Sequence, residues 1–206
     1  EDILTCTMNK PYFIETIKVV DGKFLNLSYH MDRMNRTMIS FFNTTMFVEL
    51  WIGDIPEELR TGVVKCRIIY SHCSVNVEYE RYHIRKINSL KLTESNSIDY
   101  SFKYADRSSL VLLLEQKEDC DDILIIKDGF VTDTSYTNIV LKNSSGLYTP
   151  STYLLAGTKR RLLLDQSLIK EKDIHLADLQ SYDQLYLINA MIDIEDNVSI
   201  PVACVF

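Results

Sequence analysis

The sequence predicts an α+β fold, on three observations. Two Asp-Gly pairs, Asp21-Gly22 and Asp128-Gly129, each separate runs rich in β-branched and aromatic residues, a pattern typical of two-residue β-hairpins. Such hairpins outnumber strand–helix–strand crossovers, which argues against a doubly wound parallel sheet. The chain has 206 residues, of which 46% are hydrophobic, enough to build a core in one large domain or two small ones.

The first half of the chain predicts a sheet with one long helix. Methionine and phenylalanine side chains between residues 31 and 41 recur at helical spacing, and Ser28 can cap that helix. Pro56, followed by two glutamates, predicts the start of a shorter helix. The other predicted elements are strands at 12–20 and 23–27, a helix at 28–42, and strands at 63–71 and 74–82.

A polar segment at 85–96 has no clear periodicity and indicates the crossing into a second domain. We therefore expect a small N-terminal domain at 1–87 and a larger C-terminal domain at 88–206. In the larger domain the predicted strands are 98–103, 123–127, 130–132, 138–142, 147–149, 185–194 and 200–205, and the predicted helices are 108–116, 158–166 and 176–182.

Composition argues against several classes of function. A formal charge of −7 disfavours a protein that follows a nucleic-acid backbone, and the apolar runs are far shorter than the roughly 20 residues of a membrane span. The five scattered cysteines include no C-x-x-C pair, and no glycine-rich nucleotide motif occurs. Because no secretory signal is visible, we expect a cytoplasmic chain without a disulfide framework, a metal, a nucleic-acid partner or a membrane.

Four features could carry chemistry. Lys103 follows a predicted strand, where a lysine is most often a solvated edge charge but can act as a nucleophilic amine when partly buried. Asp133 ends the second hairpin and precedes a hydroxyl-rich stretch. Gly157 and Thr158 open a predicted helix whose first N–H groups can bind a phosphate, and Arg33 could bind the same phosphate.

As a set, these features resemble the class IV (fold-type IV) pyridoxal-phosphate enzymes, a family of branched-chain and D-amino-acid aminotransferases and aminodeoxychorismate lyase. The resemblance covers nearly the whole chain and implies a two-domain fold similar to that of D-amino-acid aminotransferase. It also implies bound pyridoxal 5'-phosphate and a homodimer that acts on a small-molecule amine, with the site between the domains. The motifs that carry it are Phe13-Ile14-Glu15-Thr16-Ile17 with Asp21-Gly22, His30-Met31-Asp32-Arg33, Leu147-Tyr148-Thr149-Pro150, and the phosphate turn from Leu155 to Arg160.

The resemblance implies a role for each site residue. Lys103 falls where the family has its Schiff-base lysine and is the implied catalytic residue, and Asp133 stands where the family usually has the glutamate that pairs with the pyridine nitrogen. The implied cofactor-binding residues are Arg33, Lys103, Asp133, Ser135, Thr137, Asn138, Gly157, Thr158 and Lys159. The implied candidates for binding the substrate carboxylates are Arg107, Asn189, Ala190 and Met191.

Two stretches favour the lyase within the family. Lys103-Tyr104-Ala105-Asp106-Arg107 is similar to the lyase's K-x-x-N-R, and Leu187-Ile188-Asn189-Ala190-Met191 is similar to its C-N-A-L segment. The resemblance therefore implies a lyase that converts 4-amino-4-deoxychorismate into 4-aminobenzoate and pyruvate, a step towards folate. The alternatives left open are a class IV amino-acid aminotransferase and a non-catalytic protein on the same scaffold.

The sequence departs from the family pattern at three positions. Asp133 is one methylene shorter than glutamate, so either the cofactor ring or the strand must shift to preserve the contact. Val140 replaces an aromatic residue, and Thr158 replaces the aliphatic residue after the phosphate-turn glycine. The chain is also shorter than typical members, chiefly before Lys103, which affects the loops that would cover a substrate.

Overall fold

A computed structural model describes residues 10–46 and 53–206 of the chain. The chain divides into two compact units. The first unit comprises the described residues up to Tyr82 together with Phe102–Asp106, and the second comprises His83–Ser101 and Arg107–Phe206. Both units contain antiparallel strands together with a helix, which confirms the predicted α+β class.

The first unit is a four-stranded antiparallel sheet packed against one long helix. Its strands, in the spatial order β2-β1-β3-β4, are β1 (Phe13–Val20), β2 (Lys23–Phe24), β3 (Val63–Tyr70) and β4 (Val75–Arg81). The helix is α1 (Leu27–Phe42), whose buried Met34 and Met38 pack in one cluster with Phe13 and Ile17 of β1. The Asp-Gly hairpin between β1 and β2 therefore forms as predicted, and both of its central residues have positive φ.

A buried carboxylate joins α1 to β1. Glu15 lies on β1 with no exposed surface, and its carboxylate accepts hydrogen bonds from His30 Nδ1 at 2.8 Å and Arg33 Nε at 3.1 Å, and a further one from Arg33 Nη2. Burial alone raises the pKa of Glu15, but the Arg33 charge and the bonds from His30 and Arg33 outweigh it and lower the pKa to about 2. Glu15 is therefore ionised throughout the ordinary pH range.

The second unit contains two sheets and two short helices. One sheet has the order β5-β6-β7, with β5 parallel to β6, and the other has the order β10-β9-β8-β11-β12. The strands are β5 (Leu90–Glu94), β6 (Asp122–Lys127), β7 (Phe130–Thr134), β8 (Asn138–Asn143), β9 (Gly146–Pro150), β10 (Lys170–Lys172), β11 (Gln184–Ile188) and β12 (Ser199–Pro201). The helices are α2 (Ser108–Leu114) and α3 (Thr158–Asp165). A single cluster of buried residues, including Leu124, Ile139 and Leu185, joins the two sheets.

The segment around Lys103 differs most from the prediction. The predicted strand at 98–103 is wrong, and β5 (Leu90–Glu94) forms instead inside the stretch that we expected to be a linker. The Lys103 carbonyl accepts a hydrogen bond from Ile14 N–H at 2.8 Å, and Ala105 N–H donates to the Tyr12 carbonyl at 2.8 Å. These bonds attach the segment to the first unit, although the sequence assigned it to the C-terminal domain.

Smaller differences occur at helix ends and late strands. The cap residue of α1 is Asn26 in a left-handed conformation, not Ser28, and no side chain caps the helix. The predicted helix after Pro56 is a three-residue 3₁₀ turn (Glu57–Leu59), and the predicted helix at 176–182 is also 3₁₀ (Leu176–Ser181). The predicted strand at 200–205 ends early, because the chain turns into a 3₁₀ helix at Val202–Cys204.

The cysteines correct one expectation. Cys73 is disulfide-bonded, whereas Cys66, Cys120 and Cys204 are free and Cys6 lies outside the described residues. Sequence spacing does not reveal which cysteines the fold brings within bonding distance, so a single bridge of this kind is not visible in the sequence. Within the described residues, no helix is long and apolar enough to cross a membrane.

We predict that Glu15→Gln destabilises the protein by roughly 3–5 kcal/mol at pH 7, because it leaves the Arg33 charge buried without its partner. In the unchanged protein the folded-state pKa of Glu15 is depressed from 4.5 to about 2, so its stabilising contribution is present above pH 4.5 and is lost as the pH falls towards 2. Urea unfolding followed by circular dichroism at pH 7 and pH 3 measures both effects.

The matched control is Glu80→Gln, since Glu80 pairs with Lys65 on an exposed strand. Its expected cost is below about 1 kcal/mol at both pH values. Equal losses for the two variants would contradict a structural role for the buried Glu15 carboxylate.

Candidate active site

A β-bulge sets the direction of Asp133. In the pairing of β6 with β7, Leu124 lies opposite Thr134 and Ile126 lies opposite Val131, so two residues of β7, Thr132 and Asp133, face the single residue Ile125. The Thr132 hydroxyl donates to the Ile125 carbonyl at 2.8 Å. A bulge changes the direction in which the side chains of its strand point. Here the bulge contains Asp133, the predicted partner of the cofactor.

Three N–H donors hold the Asp133 carboxylate. Oδ2 accepts from the backbone N–H of Leu154 at 2.9 Å and of Leu155 at 3.0 Å, and Oδ1 accepts from Asn138 Nδ2 at 2.9 Å. Burial raises the pKa of Asp133, while these bonds and the nearby Arg160 charge lower it, and the pKa reaches about 6 against an ordinary value of 3.8. The buried Asp133 carboxylate is therefore mostly ionised at neutral pH.

Asn138 and Gly157 lie directly beside this carboxylate. Asn138 Nδ2 also donates to the Leu155 carbonyl at 2.9 Å, so the amide bridges Asp133 and the turn before α3. Gly157 precedes α3, and a side chain there would overlap the amide oxygen of Asn138. The structure thus brings together three of the predicted cofactor residues, Asp133, Asn138 and Gly157.

The start of α3 offers backbone donors. No side chain caps this helix, and Thr158, Lys159 and Arg160 in its first turn are all buried. The first N–H groups of a helix have no partner within the helix itself, and together with the helix dipole they favour an anion. Thr158 and Lys159 lie in this first turn, and their predicted phosphate contacts stay predictions.

The turn between β7 and β8 contains the predicted hydroxyl donors. The hydroxyls of Thr134 and Thr137 lie 2.7 Å apart, and Thr137 N–H donates to Thr134 Oγ1 at 3.0 Å, which closes the turn around the buried Ser135. Arg107 Nη2 donates to the Ser135 carbonyl at 2.6 Å. In this structure the Thr137 hydroxyl and the Arg107 guanidinium hold the shape of the turn, and their predicted ligand contacts stay predictions.

The loop after β11 approaches the same turn. Asn189 Oδ1 accepts from the N–H groups of Met191 at 2.9 Å and Ile192 at 3.0 Å, and Asn189 Nδ2 lies 3.5 Å from the Tyr136 carbonyl. The Asn189 side chain therefore shapes the loop that contains Ala190 and the buried Met191.

An ion pair fixes the end of that loop to α3. Lys159 Nζ bonds to the carboxylate of Asp193, and Lys159 itself is 5% exposed. The predicted substrate loop, the hydroxyl turn and the start of α3 are thus connected within the second unit.

Two predicted site residues belong to the first unit. Lys103 is half-buried, and its neighbours in sequence, Phe102 and Tyr104, pack against Phe41 with ring centroids at 4.8 and 6.1 Å. These contacts fix the backbone on both sides of the lysine. Arg33 forms its two-point contact with Glu15, and its predicted phosphate contact stays a prediction.

Sequence reasoning missed two charged residues. Glu15 lies on the apolar face of β1, and an acid at such a position indicates a buried partner that the motif does not specify. Arg160 is 5% exposed, donates from Nη2 to the Pro150 carbonyl at 2.9 Å, pairs with Glu171 at 3.0 Å and lies 4.0 Å above the Tyr153 ring. The signal available in the sequence was the position of Arg160, two residues after the predicted start of the helix at 158.

Comparisons with known proteins identify relatives of this chain. The chain is 33% identical over 180 residues to an uncharacterized protein of Haemophilus influenzae, covering 86% of this chain and 96% of that protein. It is 33% identical, with a TM-score of 0.78, to the crystal structure of a "putative 4-amino-4-deoxychorismate lyase" from Haemophilus somnus 129pt, covering 90% of this chain and 98% of that one. A pyridoxal-phosphate-bound structure of a "hypothetical aminotransferase" from Mycobacterium tuberculosis shares the fold at 16% identity, with a TM-score of 0.73, covering 88% and 78% of the two chains.

The family model "Amino-transferase class IV" matches residues 12–196, a span that contains every predicted site residue. The motifs read from the sequence and the buried carboxylate beside a glycine at a helix start agree with that match. The chain therefore belongs to the class IV aminotransferase family of pyridoxal-phosphate-dependent enzymes.

Proposed function

We propose that the protein is a 4-amino-4-deoxychorismate lyase, which releases pyruvate and leaves 4-aminobenzoate. The observation that carries the proposal is the loop shaped by Asn189, because Asn189-Ala190-Met191 is the stretch that resembles the lyase branch and it faces the hydroxyl turn. The printed name of the 33%-identical structure from Haemophilus somnus supports the same choice.

The residues of the second unit fit pyridoxal phosphate. Asp133 supplies a buried carboxylate suited to a protonated pyridine nitrogen, and the uncapped start of α3 supplies N–H groups suited to a phosphate. Ser135 and Thr158 add buried hydroxyls. When bound, pyridoxal phosphate supplies an electron sink for the charge that remains when a substrate C–H proton is removed.

In the proposed reaction, this chain's residues bind, orient and move protons. Asp133 would hold a protonated ring nitrogen of the cofactor, and the Thr158 and Lys159 N–H groups would bind its phosphate. The Lys103 amine would hold the cofactor and, once free, would take the proton from the substrate ring carbon. The C–O bond to the enolpyruvyl group then breaks, the ring becomes aromatic, and the leaving group gains a proton to become pyruvate. Arg107 would bind a substrate carboxylate.

The assay that tests the proposal compares two reactions of the purified enzyme with added pyridoxal phosphate. Pyruvate release from 4-amino-4-deoxychorismate, with 4-aminobenzoate formed in equal amount, is the expected result. Amino exchange between glutamate and a branched-chain or D-amino-acid keto acid, without pyruvate release from aminodeoxychorismate, would replace the lyase by an aminotransferase.

We predict that borohydride reduction of the yellow protein attaches the pyridoxyl group to Lys103, as peptide mapping by mass spectrometry would show. Lys103→Ala removes the attachment site and should abolish the attachment. The matched control is Lys170→Ala, because Lys170 is exposed at the edge strand β10. A protein that takes up no pyridoxal phosphate, or one that is labelled equally after Lys103→Ala, would contradict this role for the lysine.

We further predict that Asp133→Asn lowers turnover by about 100-fold or more while the protein still binds pyridoxal phosphate, because a neutral side chain cannot stabilise the pyridinium charge. Steady-state kinetics gives turnover, and equilibrium dialysis gives cofactor binding. Asp178→Asn, at an exposed site in the same unit, is the control and should keep full activity. Full activity of the Asp133 variant would show that the carboxylate has another role.

A further inference from the structure

We propose that Gly157 and Asn138 act as a pair of positioning residues that hold the Asp133 carboxylate. Gly157 leaves the space in which the Asn138 amide sits, and the amide in turn fixes Asp133. The purpose of this arrangement for cofactor binding rests on the proposed function, whereas the arrangement itself rests on the contacts within the second unit.

The orientation of the Asn138 amide is determined by its partners. Nδ2 lies 2.9 Å from Asp133 Oδ1 and 2.9 Å from the Leu155 carbonyl, and both of these atoms only accept hydrogen bonds. The nitrogen must therefore face them, and the amide oxygen faces Gly157. A flipped amide would place two acceptors against each other.

Gly157 is needed for space and not for backbone conformation. Its φ of −68° and ψ of 138° are ordinary for any residue. A Cβ atom at this position would overlap Asn138 Oδ1 and lie 3.0 Å from its Cγ. Any side chain therefore pushes the Asn138 amide away from Asp133. The phosphate-turn motif alone would explain a glycine at position 157. The overlap with Asn138 gives this glycine a second role, which is to leave space for the amide that bonds to the Asp133 carboxylate.

The consequence for Asp133 is electrostatic. Its carboxylate is buried, and Arg160 of α3 is the charged residue whose field lowers its pKa. Burial opposes the ionised form, and the bonds from Asn138 and from Leu154 and Leu155 favour it. Losing the Asn138 donor therefore shifts the balance towards the protonated acid, which cannot accept a bond from a pyridinium N–H.

The experiment measures the Asp133 carboxyl pKa by carbon-13 NMR in the full-length, cofactor-free protein. The expected pKa is near 6 in the unchanged protein and higher by about one in Asn138→Ala, the effect of one lost charge-assisted hydrogen bond. Gly157→Ala should raise it similarly. The double variant should match Asn138→Ala alone, because the atom that a Cβ at 157 would displace is then gone.

Thr149→Val is the matched control. It removes a different buried hydrogen bond of the same sheet, from the Thr149 hydroxyl to the Ile139 carbonyl at 2.8 Å, and should leave the Asp133 pKa unchanged. Asn138→Ser serves the same test as Asn138→Ala if the alanine variant does not fold. An unchanged pKa in Gly157→Ala, or additive shifts in the double variant, would overturn the proposal.

Pyridoxal phosphate binding is a separate readout. If Asp133 pairs with the cofactor, both single variants should bind it about twofold more weakly at pH 7 and nearly tenfold more weakly at pH 5, because a pKa raised by about one lowers the ionised fraction of Asp133 by about those factors. Binding by Thr149→Val should be unchanged at both pH values. If the unchanged protein binds no pyridoxal phosphate, the proposed function fails, while the carboxyl titration still decides whether Gly157 and Asn138 hold Asp133.

Discussion

Three N–H groups around one buried carboxylate constrain the second unit. Burying the Asp133 charge is costly unless donors replace the lost water, and the donors are the Leu154 and Leu155 backbone N–H groups and the side chain of Asn138, the first residue of β8. Arg160 of α3 adds a favourable positive charge at longer range. The bulge in β7 and the glycine before α3 are the local features that allow these groups to converge. The start of α3 is then fixed near the carboxylate. The negatively charged Asp133 and the helix start that can bind an anion are therefore neighbours.

The first unit follows the same rule with different donors. Glu15 is buried on β1 and stays ionised because Arg33 and His30 of α1 supply positive charge and hydrogen bonds. These bonds fix the position of α1 along the sheet, in addition to the packing of its apolar face. These two buried carboxylates differ in their partners: Glu15 faces a full cation in direct contact, whereas Asp133 has neutral donors in direct contact. Of the two, Asp133 has the pKa closer to neutrality and so can respond to a charged ligand.

Local signals explain what the sequence predicted well. Both Asp-Gly hairpins form at their expected residues, and α1 ends at the predicted Phe42, because turn chemistry and helical periodicity act over a few residues. The segment containing Lys103 was misplaced because its backbone partner, Ile14, is far away in sequence. The contact between Gly157 and Asn138 likewise joins separate elements, β8 and the turn before α3, and the bulge that aims Asp133 is a register shift that the turn residues of its own hairpin do not specify. Motif resemblance therefore predicted the site residues, but not the contacts that hold them.

Asp133 stands where the family usually has a glutamate. A shorter side chain, fixed by three donors, has little freedom to move, so the proposed pairing with the cofactor requires the ring to lie close to the carboxylate as it stands here. Nitrogen-15 NMR of the protein reconstituted with ring-labelled pyridoxal phosphate tests this pairing directly. We expect a protonated pyridine nitrogen at pH 7 in the unchanged protein and loss of that proton in Asp133→Asn. An unprotonated nitrogen in the unchanged protein would contradict the pairing of Asp133 with the cofactor.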